Sequence, residues 1–410
     1  MFVRLTGSCK VESCFLPLNP RIDFTPLTHT WGPLQGSVKD KGAEEATSDR
    51  HQPVTFVDGL HTFCGHGDPT LKEGMAVHMY AFDADMDRQA FVNNDGEFLI
   101  VPQHETIDIQ TELGHLCVPP GSIAVLPPGF RFSVSIASSY GTSRASMASG
   151  YILEVFGTHF KLPELGPLGA NGLAHVRDFQ YPVASFDMDL DVPLSSTPGG
   201  GTSRPAVKEA SSPHWRILTK LAGRFYQYTQ PHTPFDVVAW HGRYAPYKYD
   251  LAHFTNLSVN TDQLDPTAHC VLTAPSGWPG VSLVDFCLFA EKYAIAKDTL
   301  RIPYHHRTMA TELVGIIKGK YGGSVRRLEA GGLSLEQGYM PHGESYECWK
   351  RESERDLGVE VAGKGFLGFM FHVAAHVGLT KWATARHPDI RCKDEDTLIP
   401  LPFQVPGGLY

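Results

Sequence analysis

Between residues 91 and 136 the chain reads FVNNDGEFLIVPQ, TIDIQTELGHLCV, SIAVLP and FRFSVSI, four short runs cut by turn chemistry. Apolar groups alternate at Ile107, Ile109 and Thr111, the period of a strand with one buried face. NNDG and PPGS supply residues that turns need. This stretch predicts β-structure. The 40 Gly and 30 Pro extend the expectation to the whole chain, because many short elements need many turns. With 410 residues, 42% of them hydrophobic, the chain can build a large core and has the length of roughly two domains.

Two small, polar, Gly/Pro-rich stretches read as surface insertions: GTSRASMASG at 141–150 and SSTPGGGTSRPAVKEASSP at 195–213. A second β-rich stretch begins near residue 234 and includes HCVLTAP and GVSLVDFCLF. Two β-rich halves suggest a duplicated β-barrel, with an N-terminal domain at 1–245 and a C-terminal one at 246–410. The run FLGFMFHVAAHVGLTKWATAR at 366–386 has apolar groups at helical spacing and predicts a late, buried helix. Its apolar stretch is broken by His, Gly and Lys, so it does not read as a membrane span. Net charge is -9 and no long basic run occurs, which argues against nucleic acid or an anionic membrane surface as a partner. Eight scattered Cys without a CxxC pair fit a reduced cytoplasmic setting, as does an N-terminus, MFVRLTGSCKVESCF, without the apolar core of a signal peptide.

PGSIAVLPPGFRF places Gly121, Pro127, Gly129 and Phe132 at the spacing of the second cupin motif, G-x5-P-x-G-x2-H. Phe132 stands where a metal-binding cupin has His, and a phenyl ring offers no donor. The first half therefore reads as a degenerate, metal-free cupin barrel, and a working site belongs in the second.

There, YHHRTMATELVGIIKGKY runs from Tyr304 to Tyr321 and holds His306 and Glu312. A shared ion needs both donors at about 2 Å. A continuous strand would separate these residues by roughly 20 Å. A helix would bring them to roughly 9 Å but turn them about 120° apart. The chain must turn between them and start a strand near Glu312, for which Leu313, Val314, Ile316 and Ile317 are suited. His306, Thr308, Glu312 and Gly319 follow the first cupin motif, with Thr308 in place of its second His. GGLSLEQGYMPHGESYE adds His342, eleven residues after Gly331, the Gly-to-His interval of the second motif without its inner Pro and Gly. Two His and a carboxylate suit a non-haem Fe(II) site with open positions, and zinc fits the same donor types. A His six residues before a Glu is common by coincidence, so spacing alone does not assign a metal. His305 is the poorer choice, since strand neighbours point to opposite faces. HTFCGHGD at 61–68 lacks the paired-cysteine spacing of a zinc site.

Longer runs carry a resemblance. NNDGEFLIVPQ, GYILEVFGTHFKLPELGPLGANGLAHVRDF, VVAWHGRYAPYKYDLAHF and the stretch around His306 resemble the homogentisate 1,2-dioxygenase family, Fe(II) enzymes of aromatic catabolism. The similarity runs from VDGLHTFCGHGD to the C-terminal region. It implies a mainly β, two-domain, bicupin-like fold with a few helices, assembled as a homotrimer or homohexamer. By position it implies iron ligands His306, Glu312 and His342, with Tyr321 and His342 beside the aromatic substrate. Four positions depart from the family. Gln263 replaces a catalytic His before an Asp-Pro pair, Glu336 replaces a His after Ser-Leu, Thr308 replaces an Asn, and Ser324 falls near a usual basic residue. The N-terminal segment is also shorter than usual. Gln263 exchanges hydrogen bonds but takes up no proton near neutral pH, whereas Glu336 is able to act as a base. The expectation is an Fe(II)-dependent, extradiol-type dioxygenase that opens a hydroxylated ring with O2. Its substrate would be a homogentisate-, gentisate- or hydroquinone-like phenol, natural-product intermediates included. One alternative is a conventional homogentisate dioxygenase of tyrosine and phenylalanine catabolism. A second is an inactive paralogue serving as an oligomeric binding module.

Overall fold

Three β-sheets form among the described residues. The computed structural model describes residues 22–23, 29–32, 53–137, 147–164, 174–186, 214–254, 269–295, 301–302, 305–320, 328–344 and 346–385. The central sheet has nine strands, in the order Ile22–Asp23, Gly378–Thr380, Leu60–Asp68, Glu73–Phe82, Ala148–Phe156, Gly96–His104, Ser122–Leu126, Tyr247–Asp250 and Phe179–Gln180. A second sheet orders Arg224–Gln230, Trp215–Leu221, Gln89–Asn93, Arg131–Ile136, Ile107–Thr111 and Gly114–Val118. The third orders Cys270–Pro275, Ser282–Ala294, Glu360–Val373, Thr311–Lys318, Leu333–Glu336 and His29–Trp31.

The side-chain alternation of each strand tells how the sheets stack. From the central sheet, Tyr80, Phe82, Phe98, Ile100, Ala124, Leu126 and Ile152 enter one core with the second sheet. Their strand neighbours Met79, Leu99, Val101, Ile123, Val125, Tyr151 and Leu153 enter another with the third. Successive residues point to opposite faces, so the central strands are apolar throughout because both faces are covered. In the second sheet, Ile107–Thr111 and Gly114–Val118 bury only every other residue, as the alternation in their sequence predicts. Each fully buried large apolar side chain contributes about 1.5–3 kcal/mol, which makes the doubly covered sheet the main source of cohesion.

The strands expected between 91 and 136 all form. The late helix does not. Glu360–Val373 is a 14-residue strand lying between Ser282–Ala294 and Thr311–Lys318. Phe369, Phe371 and Val373 face the core shared with the central sheet, whereas Met370 lies in a separate cluster with Cys270 and Cys287. Apolar groups on both faces of a central strand erase the period of two, and the run then mimics a buried helix. The helical residues there are Lys381–Ala385. Of the two expected insertions, residues 148–150 open the strand Ala148–Phe156, while 141–146 and 195–213 lie outside the described residues. No helix among the described residues is long and apolar enough to cross a membrane.

Strand pairing crosses residue 245 repeatedly. Tyr247–Asp250 and Gly378–Thr380 join the central sheet, and His29–Trp31 joins the third. Phe132 is buried, its ring edge-on to Phe91 and Phe56 at 5.5 and 6.2 Å between centroids. Where a metal-binding cupin puts a donor, this chain packs an aromatic cluster.

Candidate metal centre

Glu312 is the second residue of the strand Thr311–Lys318. Thr311 anchors the strand's start by donating its hydroxyl proton to Ala375 O at 2.7 Å. Leu313 faces the core, so Glu312 faces the opposite side of the third sheet. Register sets Glu336 directly across from Glu312 on one neighbouring strand and His372 on the other.

His306 and His342 approach this face as a two-stranded bridge. His306 N–H donates to His342 O at 2.9 Å, and His342 N–H donates to His306 O at 3.1 Å. The following Gly343 lets the backbones meet: a Cβ there would lie 2.9 Å from His305 Cα. Gly338 serves the same loop, since a Cβ would fall 2.7 Å from Met309 O. Tyr339 N–H donates to Thr308 O at 2.7 Å, which closes the loops on each other. At the motif's start, Tyr151 of the central sheet donates to Gly331 O at 2.9 Å.

Donor atoms of His306, Glu312 and His342 all lie within 4.8 Å of one another. The turn expected between His306 and Glu312 is present, and the strand begins where Leu313 and its neighbours suit it. His342 Nδ1 lies 3.0 Å from Met340 O, and a carbonyl only accepts, so Nδ1 carries the proton. That leaves the Nε2 lone pair aimed into the site, buried and without a hydrogen bond, 3.5 Å from Glu312 Oε2. Side chains of His342 and Glu312 are 13% and 14% exposed. Two acceptors facing each other at that burial repel unless a cation stands between them. A proton is one solution. Burial opposes charging His342, yet Glu312 outweighs it and pushes the imidazole up to about 9. Burial likewise opposes Glu312's ionisation, but His342, then His372 and His306, hold its carboxyl below the usual range. A divalent ion is the other solution, and an imidazole oriented by a backbone carbonyl is the usual form of a ligating His. Thr308, in place of the motif's second His, points its hydroxyl at Glu312 Oε1 at 3.2 Å and at Ala310 O at 2.9 Å.

The other expected site residues divide. Glu336 joins the site by register, and its charge contributes to the rise at His342. Gln263, Tyr321 and Ser324 lie outside the described residues. His305 is exposed and outside the donor cluster. In HTFCGHGD, Cys64 lies in the apolar core and His61 stacks on Trp382 at 4.5 Å, both packing roles. Sequence reading missed His372 and Asp285. Asp285 sits across from His372, with Oδ2 3.7 Å from His372 Nδ1, and accepts from Thr273 at 2.6 Å and Ser282 at 3.0 Å. The signal was the one carboxylate in VSLVDFCLF and the one imidazole in FMFHV, each set among apolar residues.

Comparison with known proteins places these residues in a family context. The homogentisate 1,2-dioxygenase N-terminal family model matches residues 41–196 and 205–251, and the C-terminal model matches 252–401. The homogentisate 1,2-dioxygenase of Caenorhabditis elegans is 43% identical over 337 residues, 82% of this chain and 70% of the worm protein. That of Homo sapiens is 38% identical over 379 residues, 92% of this chain and 78% of the human protein. Among solved structures, a cupin 2 conserved barrel domain protein from Leptotrichia buccalis aligns over 80% of this chain and 92% of its own, at 9% identity and a TM-score of 0.33.

Proposed function

The chain belongs to the homogentisate 1,2-dioxygenase family, and from that premise we propose that it is an Fe(II)-dependent, extradiol-type dioxygenase that opens the ring of homogentisate with O2. The observation that carries this reading is the convergence of His306, Glu312 and His342, whose donor atoms lie within 4.8 Å of one another with the buried His342 Nε2 facing the Glu312 carboxylate. His306, Glu312 and His342 would hold the ion. Bound there, Fe(II) would supply a redox-active Lewis acid with positions left for substrate and O2.

This chain's own residues do the rest. Met340 O fixes the His342 tautomer, and Thr308 steadies Glu312. Glu336, across the strand from Glu312, would take a phenolic proton or orient the ring. Gln263 would position the substrate by hydrogen bonds, and Tyr321 would bond its polar substituent. The N-terminal half, 1–245, would serve as scaffold and the C-terminal half, 246–410, as the iron domain, in a homotrimer or homohexamer.

The extent of the similarity supports homogentisate as substrate over a changed one. A changed substrate, of gentisate or hydroquinone type, is favoured by one observation: Glu336 puts a second carboxyl beside Glu312 where the family has His. Oxygen uptake by the anaerobically reconstituted protein, with homogentisate and hydroquinone in parallel, separates the two. The homogentisate reading expects its kcat/KM to exceed that for hydroquinone by more than about tenfold, a difference of 1.4 kcal/mol in transition-state stabilisation. The reverse order supports the changed substrate. No uptake with either phenol at full iron occupancy sinks both and leaves the binding-module alternative.

A further inference from the structure

The face of the third sheet that carries Glu312 also carries three sulfur atoms in one cross-strand row. Cys270 lies directly opposite Cys287, and Cys287 lies directly opposite Met370. Residues opposed on antiparallel strands share a face and stand about 4.5–5.5 Å apart at Cα. All three are at most 3% exposed and pack as one cluster, backed by Phe289 and Val314. Cys287 and Met370 are two residues along their strands from Asp285 and His372, one pleat away from Glu312. Neither half of the oxygenase reading uses them.

We propose that Cys270, Cys287 and Met370 form a separate three-sulfur site for a soft monovalent ion of the Cu(I) class. Thiolate and thioether donors select such ions over the hard or borderline ions suited to imidazole and carboxylate. The ion would take one thiolate, one thiol and the thioether, releasing one proton to solvent, so the buried site carries no net charge. That balance matters in an apolar layer, where an uncompensated charge costs several kcal/mol. Contact with Cys270, together with burial, already pushes the Cys287 thiol up, so it stays neutral until a cation favours the thiolate. Access follows from topology. Cys270 is the first residue of Cys270–Pro275, the edge strand of its sheet, so fraying one strand end opens the row.

The test is an anaerobic titration of the full chain with Cu(I) against a chromogenic Cu(I) chelator. One Cu(I) per chain is expected. Cys287→Ser and Cys270→Val should each weaken binding by more than about 100-fold, beyond the loss typical of an outer-shell partner. Met370→Leu conserves volume and keeps the core, and should weaken it by about tenfold at unchanged Tm. Cys117→Ser, on the exposed side of its strand, should leave it unchanged. Glu312→Gln should also leave it unchanged, which separates failure here from failure of the iron reading. Cu(I) binding that survives the Cys270→Val/Cys287→Ser double variant, or that vanishes with Glu312→Gln, overturns the proposal. So does a Cys270–Cys287 disulfide as the end state of the Cu(I)-exposed protein, seen as a loss of two hydrogens by mass spectrometry.

Discussion

Glu154 and Glu312 each face a histidine, and they are satisfied in opposite ways. Glu154, on the central sheet, is completely buried. It accepts from His78 Nε2 at 2.8 Å, from Asn93 at 2.6 Å and from Lys220 Nζ at 2.7 and 2.9 Å. Lys220 also reaches Asp95 at 2.8 Å. Glu312 is part-exposed, and its partners are a threonine hydroxyl at 3.2 Å and an imidazole at 3.5 Å. Burial works against ionisation in both. His78 and Lys220 overcome it for Glu154, imidazoles alone for Glu312. The first cluster brings its own permanent cation and closes. The second holds its anion with groups that are charged only when protonated, so a metal ion can complete it. A His next to a Glu is thus no metal signature by itself; what counts is whether an ammonium already occupies the gap.

That contrast breaks most readily at Glu312. Glu312→Gln keeps the shape and removes the charge, and should lower both iron content and oxygen uptake by more than about 100-fold, measured by elemental analysis and an oxygen electrode. Full iron occupancy in that variant would mean the two clusters differ less than their partners suggest. Lys220→Met should do the converse. With Glu154 and Asp95 left buried without their ammonium, stability should fall by about 3–5 kcal/mol in chemical denaturation, while iron per folded chain stays constant. Thr308→Val removes only the hydroxyl on Glu312 and should weaken iron binding by about tenfold, read by competition with a chelator. The smallest effect is in pH. Glu154's folded value lies below the ordinary 4.5, so its contribution to stability is complete above that pH and disappears as pH falls through the lowered value. Between pH 5 and 3 the denaturation midpoint of Glu154→Gln should fall less than that of the parent, and parallel curves would remove Glu154 from the acid response.

Much of the site was legible in the sequence, because cupin spacings and long family-like runs are local. His306, Glu312 and His342 come together as the motifs imply, and the strands between 91 and 136 announce themselves through turns and alternation. What stayed hidden depends on register between distant strands. Glu154 and Lys220 are 66 residues apart, and nothing in either neighbourhood marks the pair. His372 becomes a neighbour of Glu312 only because Glu360–Val373 is a strand, and its unbroken apolar run concealed that. Phe132 was readable as a missing ligand, but the ring cluster that takes its place was not.

The central sheet, finally, is read from both sides. Residues such as Ile100 and Val101 or Ala124 and Val125 serve different interiors in alternation. Dropping one codon within these strands would exchange the two sets wholesale, delivering each cavity the other's shapes. Inherited drift in this protein should therefore collect in the outer layers, and the middle one should tolerate conservative swaps but not changes of length.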